Sequence, residues 1–153
     1  MKVFFDENGY MIEESEFNEQ KHSSLEIDDM NIEEEKKKTD AYLYKRKMSM
    51  YIYSNYPQDK QGSDTSDKMY FETTLKAEGV QNLESLVVGK IKMVQDGNTL
   101  VDAVADVDEV IRLGVTQLVK VGIRVAWVMA CKAEYHLAVA EGREMNLPAF
   151  PNI

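Results

Sequence analysis

The hydrophobic pattern is most regular over residues 82–142, where apolar side chains recur at helical spacing. From Leu100 to Ile111 they return every three or four positions, which predicts a helix that buries one face. Gly97 suits the end of the helix before it, and either Asn98 or Thr99 is placed to cap the new one, Thr99 together with Asp102 in a capping box. We therefore expect this region to form a helical hairpin or a three-helix bundle.

Gly114 separates this segment from a longer apolar one, residues 115–141. A glycine between two periodic segments predicts a break in the helix, so we expect one helix to end and a second to begin at Gly114. The apolar pattern of the second is too long for one strand, which favours a helix. Residues 84–95 and 117–129 also contain alternating stretches, so a strand is the rival interpretation in both.

Small residues recur in the long segment at four-residue steps. Such a row lets a neighbouring helix approach closely, because the backbone itself forms part of the contact. Ordinary core packing explains the row, and a self-association seam is the functional interpretation. The residues are Gly122, Ala126, Ala130 and Ala138.

Polar residues form a second stripe on the same segment. Lys120 and Arg124 lie on one side of the predicted helix, and Asp102 and Asp106 lie on the helix before it. A salt-bridged rim between these two helices is the simplest expectation.

The N-terminal residues 1–12 have the pattern of a β-hairpin. Asn8 and Gly9 stand between two short apolar runs, and an Asn-Gly pair in that position favours a tight turn. A hairpin alone is marginally stable, so a further strand, a helix or another chain must cover it.

Residues 41–80 are expected to form a tyrosine-rich strand pair with a loop. Five of the eight tyrosines fall between positions 42 and 56, and the alternation there predicts a strand over 42–53. Residues 69–75 provide its companion, and 58–67 the loop. Joined to the N-terminal hairpin, the pair makes a small antiparallel sheet, so the expected fold class is α+β in a single domain of residues 1–153.

The acidic character of the chain is concentrated near its N-terminus. The net charge is −9, and residues 1–40 contain 13 acidic and five basic residues. Residues 13–40 are also poor in apolar side chains, which predicts a segment that folds on contact with a partner. This charge disfavours nucleic-acid and anionic-membrane binding and suits a basic protein surface.

Catalytic and metal-binding patterns are scarce. The chain has two histidines and one cysteine, and on a helix Cys131 and His136 point about 140° apart. Phosphate-binding glycine loops and the GxSxG elbow do not occur. We expect a non-enzymatic protein with no catalytic residues, no metal and no cofactor, and we expect Cys131 to be a buried apolar residue.

The tail, residues 143–153, contains Pro148 and Pro151 and is expected to be extended. Leu147, Phe150 and Ile153 are its apolar anchors. Such an arm either folds back over its own bundle or enters a groove on a neighbour. The sequence favours neither.

Together these features predict a structural or adaptor subunit of a larger assembly that binds neighbouring proteins through its terminal arms. Its partners are expected to be basic or apolar protein surfaces, in a homo-oligomer or a hetero-assembly, with no general nucleic-acid binding and no membrane. The candidate partner-binding residues are Glu26, Asp28, Asp29, Met30, Ile32, Tyr51, Tyr53, Leu147, Phe150 and Ile153.

A viral component, such as a phage virion protein, is one context that suits a small acidic chain with apolar arms. The expected location is the cytoplasm or a particle assembled there. The alternative function is an acidic inhibitor that mimics nucleic acid and blocks a basic protein surface. Salt separates the two, because the mimic's binding should weaken steeply as ionic strength rises.

Overall fold

A small antiparallel sheet and five α-helices make up the computed structural model, which describes residues 2–7, 11–26 and 32–153. The model is 67% helical with the sheet in its N-terminal half, so the predicted α+β class is confirmed. The strands are β1 (Lys2–Phe5), β2 (Met11–Ile12) and β3 (Ser23–Glu26), and the helices are α1 (Ile32–Asn55), α2 (Gln58–Ala77), α3 (Leu83–Gln95), α4 (Leu100–Ala103) and α5 (Glu109–Glu141).

The chain divides into two compact units. Unit 1 comprises residues 1–51 and 131–147, and unit 2 comprises residues 52–130 and 148–153. The long helices α1 and α5 each contribute residues to both units. The single-domain organisation expected from the sequence stays a prediction.

The sheet of unit 1 has β1 at its centre, with the strand order β2-β1-β3. Phe4 pairs with Ile12 on one side and with Ser24 on the other. The predicted hairpin is therefore confirmed in its strands, while its turn residues Asn8 and Gly9 lie outside the described residues. The third strand comes from the acidic segment, and the ring of Phe4 packs 4.6 Å from that of Phe17.

The predicted tyrosine-rich strand pair is wrong, because residues 42–53 belong to α1 and residues 58–75 to α2. Leu43, Met48 and Ile52 are buried in α1. Met48 and Ile52 are four residues apart and share one helical face, whereas Leu43, five residues before Met48, lies about 140° around the helix from it. Of the four tyrosines in the alternating stretch, Tyr42 and Tyr53 are exposed, and Tyr44 and Tyr51 are half-buried. Because the buried residues of α1 do not follow one continuous stripe, its sequence has no clear helical period, and the alternating pattern of its aromatic and aliphatic residues suggested a strand instead.

The helix boundaries around residues 95–100 follow the sequence signals. Gly97 adopts the left-handed backbone region after α3, with a φ of 108°, which a glycine accommodates without strain. The Asp102 backbone N–H donates to the Thr99 hydroxyl oxygen at 3.1 Å, so Thr99 is the cap of the two that the sequence offered. The Asn98 side chain instead donates to the Met93 carbonyl oxygen at 2.9 Å. Both alternating stretches, 84–95 and 117–129, lie in helices.

Gly114 does not break a helix, which corrects the expected boundary. The short helix α4 ends at Ala103, and α5 begins near Asp108, whose carboxylate oxygen accepts the Val110 backbone N–H at 3.1 Å. Gly114 instead lies inside α5, where a Cβ atom would come within 3.1 Å of the Leu75 side chain. The glycine is there because α2 packs closely against α5.

Glycine substitutions should separate close packing from helix propensity. Gly62→Ala and Gly89→Ala add a methyl group with no atom within 4 Å, so each should stabilise the protein by about 0.5–1 kcal/mol. Gly114→Val should destabilise it by about 1–3 kcal/mol, because Leu75 and Phe71 occupy the space. Urea unfolding of the three variants gives the comparison, and equal effects at all three positions would contradict this packing.

The core of unit 2 is a cluster of buried aliphatic residues from α2, α3 and α5 and from the segment around α4. Val115 and Val119 on α5 are fully buried and stand four residues apart, as one face of a helix requires. The cluster consists of Leu75, Leu83, Val104, Val107, Val115, Leu118, Val119 and Ile123.

Candidate binding groove

An apolar groove in unit 2 runs between α2, α3 and α5, with a volume of about 410 Å³. Leu118 and Val121 of α5 are buried at its base, and Val88 of α3 and Val125 of α5 are 58% and 47% exposed at its edges. The groove is therefore an apolar concavity that is open to solvent. Its other apolar lining residues are Leu83, Val87, Ile91 and Gly122.

Gly122 shapes the groove by allowing α3 to lie close to α5. A Cβ atom at this position would overlap the terminal methyl group of Ile91. Gly122 therefore serves packing within unit 2, which is the core-packing interpretation of the small-residue row.

The other members of the row lie in different environments. Ala126 is half-buried, Ala130 is exposed, and Ala138 is fully buried within unit 1. Four-residue steps rotate a position by about 40° each on an α-helix, so the row drifts around α5 over its length. The expected seam therefore does not occupy a single face.

The rim of the groove carries charges of both signs. Lys68 and Glu72 of α2 form an exposed ion pair at 3.9 Å. Lys76 of α2 and Glu84 of α3 are both exposed, and neither has an ion-pair partner among the described residues. These four side chains sum to zero charge on a chain whose net charge is −9.

A buried polar network lies elsewhere in unit 2 and is centred on Asp64, which is 2% exposed. The Tyr56 hydroxyl donates to its carboxylate at 2.6 Å, and the Arg124 guanidinium donates to the same oxygen at 2.9 Å. Lys60 reaches the other oxygen at 3.2 Å. The network fastens the end of α1, the first half of α2 and the middle of α5 to one another.

This network corrects the predicted salt-bridged rim. Arg124 pairs with Asp64 of α2 rather than with the acids near α4, and Asp106 pairs with Lys90 of α3. Sequence reasoning missed Asp64 because it assigned residues 58–67 to a loop. Once that segment is a helix, the i,i+4 pair Lys60–Asp64 is the available signal.

The network also shifts the pKa of two of its members. Burial alone would raise the pKa of Asp64, but hydrogen bonds from Tyr56, Lys60 and Arg124 outweigh it and hold the pKa below its ordinary value. The pKa of Tyr56 is raised by burial first and by its hydrogen bond to the Asp64 carboxylate second. Both shifts describe an ionised carboxylate that holds a neutral phenol.

These shifts predict the pH dependence of stability. Unfolded Asp titrates near pH 3.9 and unfolded Tyr near pH 10. Because the folded pKa of Asp64 is lower, its contribution should be lost as the pH falls below about 4, and because that of Tyr56 is higher, its contribution should be lost as the pH rises above about 10.

Thermal unfolding from pH 3 to 11 measures the loss of stability at both the acidic and the alkaline end. Tyr56→Phe is the control for the alkaline loss. The variant should lose less stability above pH 10 than the unsubstituted protein. Buried Cys131, whose pKa is raised to about 11, contributes to both proteins alike. Identical alkaline losses would contradict the assignment to Tyr56.

Residues 148–153 of the C-terminal tail pack within unit 2, to which they belong. The Trp127 indole N–H donates to the Pro148 carbonyl oxygen at 3.0 Å, and the Phe150 ring lies 4.8 Å from that of Trp127. Phe150 also lies 6.1 Å from the ring of Tyr56, and Ile153 packs against the aliphatic core. The sequence left open whether the tail folds back on its own chain or enters a groove on a neighbour, and these contacts are within its own chain.

The remaining candidate partner-binding residues do not form one surface in the described part of the chain. Glu26 is exposed at the end of β3, and Leu147 is 39% exposed in unit 1. Tyr51 is half-buried and Tyr53 exposed on α1, whose first residue is Ile32. Asp28, Asp29 and Met30 lie outside the described residues.

A second, polar pocket of about 640 Å³ lies in unit 1 and includes His22 and Arg46 in its lining. The Asn18 backbone N–H donates to Nδ1 of His22 at 2.9 Å, so the neutral ring carries its proton on Nε2. Among the described residues, no hydroxyl of this pocket is hydrogen-bonded to His22, which is the contact that nucleophilic catalysis uses.

Groups of three or more metal-ligating side chains are not found among the residues that the structure describes. Cys131 is fully buried in unit 1, and burial raises the pKa of its thiol to about 11. His136 is exposed beside Tyr135, with the ring centres 4.3 Å apart. The structure therefore does not bring the cysteine and this histidine to a shared site.

Within the described ranges, α5 is the one helix long and apolar enough to cross a membrane, by length and composition alone. The core helix of a soluble protein passes the same test. Over its most apolar 18 residues, 39% are buried in the structure, and Arg124 in its middle binds Asp64. The expectation of no membrane partner stays a prediction.

The fold and the groove define an α+β protein with a solvent-open apolar concavity on its helical unit. No family model matches the chain, and no curated protein or solved structure matches it.

Proposed function

We propose that the protein is a non-enzymatic structural or adaptor subunit that binds a neighbouring protein in the groove of unit 2. The observation that supports this proposal is the lining of that groove, which is aliphatic apart from lysine and glutamate side chains at its rim. No histidine, cysteine, serine or aspartate is among its described lining residues. Apolar contact is what most of this surface offers, and its four charged side chains lie at the rim.

The energetics of the groove support protein binding. Val88 and Val125 are each about half exposed, and burying an aliphatic side chain fully is worth about 1.5–3 kcal/mol. A helix side or an extended segment that covers both valines would also shield the buried side chains at the base. A few such central residues typically provide most of the free energy of association.

The groove replaces the C-terminal tail as the surface that binds a neighbouring protein. The sequence suggested binding through terminal arms, but Phe150 and Ile153 of the tail are engaged within their own unit. The groove takes the tail's place as the apolar binding surface. Binding through the acidic N-terminal segment, the location in the cytoplasm or a particle, and a viral virion context all stay predictions.

The inhibitor that mimics nucleic acid stays the alternative. The observation in its favour is that Glu13, Glu14, Glu16 and Glu19 are all exposed in unit 1. Partner binding that weakens by more than about tenfold between 50 and 200 mM salt would favour the mimic. Binding in the apolar groove should respond weakly to salt.

A photo-reactive benzoylphenylalanine at position 88 tests the proposed function in the cell of origin. Position 88 lies at the groove edge, whereas Val101, the matched control, is 77% exposed on α4 outside the groove. Irradiation should join position 88, but not position 101, to a protein. No adduct at 88, or equal adducts at both positions, would contradict the proposal.

A further inference from the structure

We infer that the protein bound in the groove is a second copy of this chain, related by a two-fold axis, so that α3 of each copy lies in the groove of the other. This inference rests on the proposed function and names its partner. The observations that support this inference are the charges on the two rims of the groove and the exposed edge of α3.

The charge of the chain restricts where two copies can meet. Each copy carries −9, so most faces of two copies repel each other. The groove rim is different, because its two lysines and two glutamates cancel. Two copies can approach at this neutral surface without the repulsion that the rest of the chain imposes.

The unpaired rim charges are placed to satisfy each other across a two-fold axis. Lys76 is near the end of α2 and Glu84 near the start of α3, and only a short connection separates the two helices. Both side chains therefore lie at the same end of the groove, one on each rim. A two-fold axis parallel to the groove keeps the ends matched, so Lys76 of one copy meets Glu84 of the second copy, and the reverse.

The apolar shape agrees with this arrangement. Val88 is 58% exposed on the outer edge of α3, which makes that helix a ridge beside the groove. When α3 of one copy enters the groove of the other, its Val88 lies over the buried base formed by Leu118 and Val121. Each copy supplies one ridge and one groove, which is the packing that helices use.

Charge reversal tests the pairing by sedimentation equilibrium. Lys76→Glu and Glu84→Lys should each weaken self-association by about tenfold or more, because each homodimer then contains two like-charge contacts. The double variant should recover association close to that of the unsubstituted protein. An equal mixture of the two single variants should also associate, since both contacts in the mixed dimer are attractive.

The control is Lys92→Glu, an equal charge change on an exposed lysine of α3 outside the groove lining. It should leave self-association within about twofold of the unsubstituted value. Circular dichroism verifies that all variants fold. The inference is overturned if the unsubstituted chain stays at 17.5 kDa up to millimolar concentration, or if the mixture and the double variant fail to recover association.

The two proposals fail differently. A monomeric chain whose position 88 cross-links to a foreign protein overturns the second-copy inference and retains the adaptor function. A monomeric chain with no adduct at position 88 overturns both.

Discussion

Replacing Asp64 by alanine is expected to destabilise unit 2 by about 3–5 kcal/mol, because one partner of a buried ion pair is removed. Arg124, whose side chain is 13% exposed, would keep its charge without a carboxylate to neutralise it. The Tyr56 hydroxyl, within a side chain that is 3% exposed, would lose its acceptor. Small proteins are stable by about 5–15 kcal/mol in total, so this single change should remove a large part of the stability.

Asp59→Ala is the matched control, since Asp59 is an exposed acid on the same helix. Its substitution should cost no more than about 1 kcal/mol, through lost interaction with the N-terminal end of α2. Urea unfolding followed by fluorescence of the single tryptophan, Trp127, measures both variants. The network would be unimportant if the two aspartate variants unfolded at the same urea concentration.

Deleting residues 148–153 is expected to cost about 3–5 kcal/mol. The truncated chain loses the Phe150 ring against Trp127, the Pro148 carbonyl that accepts the indole N–H, and Ile153 on the core. Phe150 and Ile153 are both half-buried, so each contributes part of the about 1.5–3 kcal/mol of a fully buried side chain, and the hydrogen bond adds about 1 kcal/mol. The fluorescence of Trp127, which is 6% exposed in the full chain, should shift to longer wavelength as water reaches it.

The truncation also distinguishes a tail that stabilises its own unit from an arm that binds a neighbour. An arm could be removed with no change in stability and no change in tryptophan emission. Leu147→Ala serves as the comparison, because Leu147 is 39% exposed and its loss should cost about 0.5 kcal/mol or less. Equal stability of the truncated and full-length chains would contradict the role given to the tail.

Features that depend on a few neighbouring residues could be predicted from the sequence. The Thr99 cap, the left-handed Gly97 and the two strands of the N-terminal hairpin follow from backbone preferences within a few positions. The apolar period over 83–95 was strong enough to give a helix. Local chemistry decides these elements, so one sequence is sufficient for them.

Features that depend on distant neighbours could not be predicted. Gly114 has the same local pattern whether it ends a helix or makes room for Leu75, about 40 positions earlier. Tyr42 and Tyr53 look alike in the sequence to buried strand residues, although both are exposed on α1. In each case the deciding contact is with a segment whose position only the folded chain reveals.

The binding groove is also a feature that depends on distant neighbours and could not be predicted from the sequence. Val88 and Val125 fit the apolar pattern of their helices, and the sequence gives no sign that both remain exposed beside a buried base. The groove arises because α2, α3 and α5 cover one another incompletely. Incomplete coverage is a property of tertiary packing, so hydrophobic periodicity does not contain it.

The most direct test of the groove as a self-association surface is molar mass by light scattering at rising concentration, for the unsubstituted chain and for two valine variants. Val125→Glu places a charge in the groove, and Val110→Glu places the same charge on α5 at a position that is 80% exposed outside it. The unsubstituted chain and Val110→Glu should rise from 17.5 kDa towards twice that mass, while Val125→Glu stays at 17.5 kDa. Association of Val125→Glu equal to that of Val110→Glu would contradict the account.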